Sequence, residues 1–326
     1  MIPQRPLKSI SAPIYRPEEK SLDIDINRRQ TVRGGVSTGF DVLDEFLTIK
    51  QGFPLFVAGA PHHGKTQFIK QLLVNLSRLH SWKHCVYLGE DGSVEDIAIE
   101  LVEIFTGKPV RHHDDRGNEV ENALSESEFI NAFNWVNAHF WIVSPDDAEV
   151  DSFDVGMFYA WVDEYEAREG VKFNTTVIDP WNDLTFDLNS KGGREDLFLA
   201  DALKVVRNQS RQHHRTDIVI THIAAPFAKH RTERGQRFAS PAEPYEWAGG
   251  QTWHRRAFTM LLVYRPPSPD TMRFGKVKIE TNIGESWILV QKSKPRGVGK
   301  LGRAILYYNK ATNQYSERTL RDENDA

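Results

Sequence analysis

LFVAGAPHHGKT, residues 55–66, is the most informative stretch of this sequence. An apolar strand, predicted over Leu55–Ala58, runs into a loop that fits the pattern G-x4-G-K-[ST] between Gly59 and Thr66. A helix is predicted over Thr66–Leu79, because apolar side chains recur there at helical spacing. Backbone N–H groups of such a loop, at the positive end of a helix, can surround phosphate oxygens. The sequence therefore predicts a phosphate-binding loop (P-loop).

Individual side chains of this loop have distinct predicted roles. Lys65 would neutralise the β- and γ-phosphates, and the Thr66 hydroxyl would bind Mg²⁺. The expected cofactors are therefore Mg²⁺ and ATP, or another NTP or dNTP, because these contacts avoid the base. The predicted nucleotide-binding residues of the loop are Gly59, Ala60, Pro61, His62, His63, Gly64, Lys65, Thr66 and Gln67.

Strands and helices alternate along the chain on both sides of the loop. The further strands predicted up to residue 221 are Cys85–Leu88, Phe140–Val143, Thr175–Ile178 and Asp217–Thr221, and the helices are Val94–Phe105, Phe153–Ala167 and Asp196–Gln212. This alternation predicts an α/β fold with a mostly parallel sheet flanked by helices. Only strands are predicted after that, at Phe258–Tyr264, Val277–Glu280, Trp287–Gln291 and Ala304–Tyr308, as an antiparallel edge of the same sheet.

Composition narrows the function. The 326 residues include 41 Lys+Arg and 45 Asp+Glu, so a nucleic-acid site would need locally clustered cations. The single cysteine, Cys85, excludes a disulfide framework and a multi-cysteine zinc site. No apolar run is long enough to span a membrane.

The ends of the chain are predicted to lie outside the main domain. Residues 1–34 are expected to form an extended arm, and residues 317–326 a disordered tail. The first 17 residues are basic and free of acids, as transit peptides are, but four prolines oppose the amphipathic helix of such peptides. A cytoplasmic location is therefore expected over a mitochondrial one.

Acids follow two of the predicted strands. Asp179 ends the strand that begins at Thr175, and a P-loop enzyme needs a carboxylate there for the Mg²⁺ shell. Glu90 follows the second strand and could activate the attacking water, with its neighbour Asp91 as the rival. His222, after the fifth strand, could sense the γ-phosphate or be an ordinary strand-end histidine.

A series of ordered motifs resembles the DnaB-type and Twinkle-type replicative helicases, which are hexameric motors with a RecA-like fold. The resemblance covers roughly residues 33–316. It is carried by Gly35–Asp44, the P-loop, Gln71–Ser77, His80–Lys83, Val143–Asp147, Val177–Leu184, Val290–Gly299 and Leu306–Tyr315.

The resemblance implies a RecA-like helicase ATPase domain over residues 35–316, with Lys65 and Thr66 as the P-loop pair. It implies Asp179 as the Mg²⁺-shell acid, Glu90 as the catalytic base and His222 as the residue that couples nucleotide state to DNA contact. The family's Lys-x-Arg finger, which reaches a neighbouring subunit's nucleotide, aligns with Lys292 and Lys294. Either Arg296 takes the role of the missing arginine, or hydrolysis is slower, because lysine lacks the planar fork.

Two basic, glycine-containing loops are candidates for contact with single-stranded DNA. Their cations are Lys191 and Arg194 in the first loop and Lys229, Arg231, Arg234 and Arg237 in the second. Two further departures from the family affect DNA coupling: the family's His-Pro is His222-Ile-Ala-Ala-Pro226 here, and residues 249–256 carry no acid.

The function that the resemblance implies is an ATP-driven ring of six or seven copies that moves 5′ to 3′ on single-stranded DNA and unwinds duplex in replication. A primase domain is not expected within the chain, so a separate primase, polymerase or loader would be the partner. The alternatives are a DNA-binding ring ATPase without unwinding, used in loading, recombination or defence, and a structural assembly controlled by nucleotide.

Overall fold

The computed structural model describes residues 34–89, 92–113, 116–145, 150, 152–189, 192–224, 228–294 and 297–318. Its strands are β1 (Leu55–Gly59), β2 (His84–Leu88), β3 (Phe140–Val143), β4 (Thr175–Asp179), β5 (Thr216–His222), β6 (His230–Arg231), β7 (Arg237–Phe238), β8 (Thr259–Tyr264), β9 (Asp270–Phe274), β10 (Val277–Thr281), β11 (Glu285–Ser293), β12 (Gly302–Asn309) and β13 (Gln314–Ser316). Its α-helices are α1 (Asp41–Asp44), α2 (Lys65–His80), α3 (Val94–Thr106), α4 (Glu126–His139), α5 (Val155–Glu169), α6 (Glu195–Gln212) and α7 (Gln251–Arg256), with 3₁₀ turns at Trp181–Asp183 and Pro244–Glu246.

A nine-stranded sheet forms the centre of the molecule, in the order β13-β12-β11-β8-β1-β5-β4-β2-β3. The strands from β8 to β3 in this order pair in parallel, whereas β11, β12 and β13 are antiparallel. The prediction of a mostly parallel α/β sheet with antiparallel carboxyl-terminal strands is confirmed. The P-loop strand β1 therefore lies in the middle of the sheet, between β8 and β5.

Helices cover both faces of this sheet. One face packs against α2, α3 and α4 through side chains such as Phe68, Leu101 and Val136. The other packs against α5, α6 and α7 through side chains that include Phe158 and Trp253. Because each fully buried side chain of this size contributes about 1.5–3 kcal/mol, the two clusters hold the central strands firmly.

Helix starts follow the local sequence where serine precedes an acidic turn. Ser93 and Ser125 begin α3 and α4 with reciprocal capping boxes, closed by Asp96 and Glu128. Helix α4 was not predicted from the sequence, because its amphipathic pattern is weak and only Ala132 and Val136 are buried in it.

Two small hairpins depart from the predicted sheet. Strands β6 and β7 pair with each other, as do β9 and β10, so the strand expected at Val277–Glu280 is not an edge of the main sheet. The hairpins join through a bridge between Thr232 and Met272 and an edge-on contact of Phe238 with Phe274, with ring centroids 5.4 Å apart. A second correction concerns β8, which was expected in the antiparallel part but pairs in parallel with β1.

A buried ion pair lies at the start of β5. Asp217 accepts hydrogen bonds from Arg215 Nε at 3.1 Å, from Ser210 Oγ at 2.5 Å and from the Thr176 hydroxyl. Both charged side chains are almost fully buried. Burial raises the pKa of Asp217, and the Arg215 charge opposes that rise.

In the part of the chain that the structure describes, none of the helices combines the length and the apolar character needed to cross a membrane. Residues 1–33 and 319–326 lie outside the described residues, so the arm, the tail and the domain bounds stay predictions.

Candidate nucleotide-binding site

The P-loop joins the end of β1 to the start of α2 and needs glycine at two positions. Gly64 begins the helix with φ of 82°, a left-handed conformation that glycine adopts without strain. A Cβ atom on Gly59 would lie 2.5 Å from the carbonyl oxygen of Val263 in β8. These two glycines therefore allow the turn and the close approach of β8.

Four predicted site side chains meet at the carboxyl ends of the central strands. Thr66 Oγ1 donates a hydrogen bond to Asp179 Oδ2 at 2.5 Å, which joins the first turn of α2 to the end of β4. Lys65 Nζ lies 3.2 Å from the Ala60 carbonyl oxygen and 3.4 Å from Nδ1 of His222 at the end of β5. The parallel register, with Gly59 beside His222, brings these residues together.

The hydroxyl of Thr66 and the carboxylate of Asp179 are hard oxygen ligands at one place, as Mg²⁺ requires. Asp179 is 5% exposed, so a cation would neutralise a charge held mostly away from water. The pair fits Mg²⁺ bound beside a nucleoside triphosphate.

A cavity of about 440 Å³ opens over the P-loop, and two of the side chains that line it, Arg265 and Tyr308, were not predicted. The Arg265 guanidinium, just after β8, lies 5.4 Å from the centroid of the Tyr308 ring in β12. Beside the cavity, Tyr315 in β13 donates from its hydroxyl to the Gly64 carbonyl oxygen at 3.2 Å. The cavity is lined by Pro61, His62, Gly64, Lys65, Thr66, Gln67, Asp179, His222, Arg265 and Tyr308.

His63, in the same loop, faces away from that cavity toward the end of β8. Its Nδ1 accepts the backbone N–H of Arg265 at 3.3 Å, and its ring meets Tyr264 edge-on with centroids 5.4 Å apart. Burial, together with the charges of Lys65 and Arg265, lowers the pKa of His63 to about 4. The ring is therefore neutral at physiological pH and packs against Tyr264, while the role of His63 in the nucleotide-binding loop stays a prediction.

The predicted water-activating acids, Glu90 and Asp91, lie outside the described residues. The residue just before them, Gly89, contacts the end of β4, because its N–H donates to the Asp179 carbonyl oxygen at 2.8 Å. Asp183 lies against the same turn and accepts a hydrogen bond from Tyr87. The strand β2 therefore ends beside Asp179, with Leu88 and Asp179 paired in register.

The predicted finger lysines lie near the amino ends of the parallel strands, at the opposite end from the P-loop. Lys292 pairs in register with Met260, which in turn pairs with Phe56, three residues before Gly59. Its Nζ donates to the carbonyl oxygen of His254, at the end of α7. Lys294 is exposed, and its Nζ lies 5.8 Å from the Phe258 ring centroid.

The finger candidates are therefore separated from the P-loop of the same chain, and Arg296 lies outside the described residues. Partial burial and the charge of Lys294 lower the pKa of Lys292 to about 8.

The predicted DNA-binding cations fall into two settings. Arg194 precedes the first residue of α6 and is paired with Asp196 at 2.7 Å, and Lys191 lies outside the described residues. The second loop forms the hairpin β6–β7, which follows β5 at the P-loop edge and carries four exposed cations. They are Lys229, Arg231, Arg234 and Arg237.

The acid within this hairpin is occupied by other partners. Glu233 pairs with Arg273 at 2.7 Å and with Lys278 at 2.9 Å, both on β9–β10. Arg231 and Arg237 face each other across the hairpin in register. The hairpin therefore presents a compact basic surface.

Comparison with known proteins gives similarities in sequence and in fold. No protein-family model matches the chain. The chain is 25% identical over 285 residues to the Twinkle homolog protein, chloroplastic/mitochondrial, of Arabidopsis thaliana; the match covers 87% of this chain and 36% of that protein. The chain thus spans about a third of the length of the curated relative that it matches.

Two solved structures share the fold at low identity. The first, an isolated ATPase domain, matches with a TM-score of 0.66 at 13% identity, over 92% of this chain and 96% of that one. A DnaB-like replicative helicase, studied with its primase interactions, matches with a TM-score of 0.67 at 15% identity, over 90% of this chain and 66% of that one. The chain therefore has the RecA-like fold of the DnaB-type ATPase domains, and its sequence is similar to that of a Twinkle homolog.

Proposed function

We propose that the protein is a Mg²⁺- and ATP-dependent ring motor that moves on single-stranded DNA and unwinds duplex. The observation that carries this proposal is that the predicted site residues lie at opposite ends of the parallel strands. Lys65, Thr66 and Asp179 meet at the carboxyl ends, whereas Lys292 and Lys294 lie near the amino ends. A head-to-tail ring brings these opposite ends of neighbouring copies together.

At the P-loop edge, the chain's own groups would hold and orient the nucleotide. The loop N–H groups and Lys65 would neutralise the phosphates, and Thr66 with Asp179 would hold Mg²⁺. Bound Mg²⁺ would offset the charge that develops on the phosphate oxygens during transfer. Glu90 remains the predicted base that accepts a proton from the attacking water.

The base of the nucleotide would lie against Arg265 or Tyr308. The guanidinium carbon and the ring centroid are 5.4 Å apart, too close to admit a base between them, so a flat base would stack on the outer face of one of the two groups. Stacking of this kind tolerates every base, so it agrees with the expectation that ATP, another NTP or a dNTP could serve.

The finger would come from the neighbouring copy. Lys292 lies about 10 Å below Gly59 along the strand direction, and its side chain points to His254, away from the P-loop. Lys292 would therefore not reach the nucleotide site of its own chain. Lys292, Lys294 or Arg296 would instead complete the site of a neighbouring copy. A ring of six copies, or of seven, closes such contacts.

DNA would be held by the exposed cations of the β6–β7 hairpin, with Lys191 and Arg194 as a weaker second group. The pairing of Arg194 with Asp196 offsets its charge. Four exposed hairpin cations suit a grip on the phosphates of the DNA backbone that does not depend on sequence. A separate primase, polymerase or loader stays the predicted partner, the cytoplasm the proposed location and 5′ to 3′ the proposed direction.

Two alternatives rest on specific features. Lysine in place of the finger arginine suits a slower ATPase that switches a DNA-binding ring without unwinding. A nucleotide-controlled assembly would use the same P-loop to set polymer length. Mass measurement with and without nucleotide separates the assembly from a ring, because a helical polymer or a stable monomer contradicts the ring.

The deciding experiment measures ATP hydrolysis with and without single-stranded DNA, followed by strand displacement on a forked substrate. We expect DNA to stimulate hydrolysis and the Glu90→Gln variant to lose turnover while still binding nucleotide. Glu95→Gln, at an exposed position in the first turn of α3, is the matched control and should behave as the wild type. Hydrolysis that ignores DNA would overturn the motor, and stimulation without strand displacement would favour the DNA-binding switch.

A further inference from the structure

The cationic hairpin and the P-loop are joined by a short chain of contacts that centres on Tyr264. Its hydroxyl donates to the Ala239 carbonyl oxygen at 2.8 Å, directly after Phe238 in β7. Its ring meets the ring of His63 in the P-loop edge-on, with centroids 5.4 Å apart. One side chain, the last residue of β8, thus touches both elements.

Contacts on either side of Tyr264 hold the hairpin and the P-loop in fixed positions next to it. Phe238 is 6% exposed and packs on Phe274, so the hairpin is fixed to its neighbour β9–β10. On the other side, the His63 ring is held by the backbone N–H of Arg265, one residue after Tyr264. A displacement of Ala239 would therefore be transmitted to Tyr264 and then to His63.

A cavity of about 470 Å³ separates the hairpin from the P-loop beside this contact. Its walls include Ala60 and His63 of the loop, Arg237 and Phe238 of the hairpin, and Tyr264 between them. Closely packed interiors resist small shifts, whereas an open space lets one wall move relative to the other. The two joined hairpins can thus move together relative to the P-loop while Tyr264 keeps them connected to it.

We propose that Tyr264 is a positioning residue that couples DNA contact at the β6–β7 hairpin to the state of the P-loop through Ala239 and His63. This inference rests on the proposed function, because it requires the hairpin to bind single-stranded DNA and the loop to bind nucleotide. Tyr264 is not among the residues that line the cavity over the P-loop. Coupling of this kind is reciprocal, so nucleotide must change DNA affinity by the same factor as DNA changes nucleotide affinity.

The test uses the full chain with Tyr264→Phe, which removes the hydroxyl and keeps the ring beside His63. The dissociation constant of a fluorescent oligothymidylate is measured with and without a non-hydrolysable ATP analogue, and that of the analogue with and without the oligonucleotide. We expect both ratios to fall about fivefold or more, to the same extent, and DNA stimulation of hydrolysis to fall with them. Basal hydrolysis without DNA should stay within about twofold of the wild type.

Two matched variants separate coupling from binding and from stability. Arg231→Ala, on the hairpin, should weaken DNA binding while leaving the ratio unchanged. Tyr245→Phe, at an exposed tyrosine, should change nothing. Loss of folded protein would lower the number of binding sites without changing the ratio of affinities, so the ratio reports coupling alone.

Each outcome has a separate meaning. A wild-type ratio of one removes the coupling of affinities and overturns this inference, whereas the proposed motor is decided separately by DNA stimulation of hydrolysis and by strand displacement. A wild-type ratio well above one that Tyr264→Phe leaves intact overturns the role of Tyr264 alone. Equal loss of both ratios in Tyr264→Phe, with Arg231→Ala unchanged in ratio, supports the coupling.

Discussion

The sharpest prediction concerns the two ends of the parallel strands, because it can be tested by mixing inactive variants. The P-loop variant is Lys65→Ala, and the finger variant carries Lys292→Ala with Lys294→Ala. An arginine finger accelerates hydrolysis by roughly 10³–10⁵-fold, and we expect a lysine pair to lie at or below the lower end, since lysine lacks the planar fork. Each variant alone should therefore lose nearly all basal hydrolysis.

The mixture should recover activity if the finger acts on a neighbour. In a ring assembled at random from equal amounts, about one interface in four combines an intact P-loop with an intact finger. Basal hydrolysis should then rise to as much as a quarter of the wild-type rate, far above the sum of the two variants. The register distance of about 10 Å between Lys292 and Gly59 along the strands, with the side chain directed to His254, is the reason.

The assay is steady-state phosphate release after the variants are unfolded, mixed and reassembled, or co-expressed. Lys300→Ala, an exposed lysine of the same region, is the control and should hydrolyse ATP as the wild type does. A mixture that stays at the sum of its parts refutes the trans-acting finger. If the double lysine variant is active by itself, Arg296→Ala takes its place in the same mixture.

Three further predictions concern the scaffold. Gly59→Ala should weaken binding of a fluorescent nucleotide at least tenfold, because its Cβ would lie 2.5 Å from a backbone carbonyl of β8; unchanged affinity would contradict the close approach. Burial lowers the pKa of His84 to about 3, so the unfolded chain binds the extra proton and stability falls as pH drops below 6.5. Between pH 6.5 and pH 5, the free energy of unfolding measured in urea should fall by about 2 kcal/mol more for the wild type than for His84→Gln. Equal falls for the two proteins would refute the lowered pKa of His84. Asp217→Ala should lower the free energy of unfolding by about 3–5 kcal/mol, because the buried Arg215 Nε and the Ser210 and Thr176 hydroxyls would lose their acceptor, whereas Asp196→Ala, in an exposed ion pair, should leave stability nearly unchanged.

The P-loop could be predicted because its determinants are contiguous. Strand, glycines, lysine and helix follow one another within residues 55–66, so local sequence alone sets the phosphate site. The approach of Asp179 to Thr66 followed from a general property of parallel sheets, whose strand ends meet at one edge. The RecA-like fold was confirmed by the same logic, extended over the alternating elements.

The two cavity residues proposed to contact the nucleotide base, Arg265 and Tyr308, could not be predicted in this way. Arg265 and Tyr308 come together only because β8, β11 and β12 pair in an order that the sequence does not state. Tyrosines in amphipathic strands are usual, so nothing local distinguishes Tyr308 from its neighbours. The hairpins at β6–β7 and β9–β10 were missed or misplaced for the same reason, since their short strands carry little periodicity.

The hydrogen bond from Tyr315 to Gly64 has a consequence for synthesis of the chain. The two residues are 251 positions apart, so a growing polypeptide can form the P-loop turn long before the strand that closes over it exists. Contacts of such separation form late, because the entropy of closing a long loop must first be overcome. Nucleotide affinity should thus rise sharply only when β12 and β13 have left the ribosome, and bound nucleotide would in turn hold those last strands in place. The ligand would select the fully folded chain, and newly made copies without it would be the ones that proteases reach first.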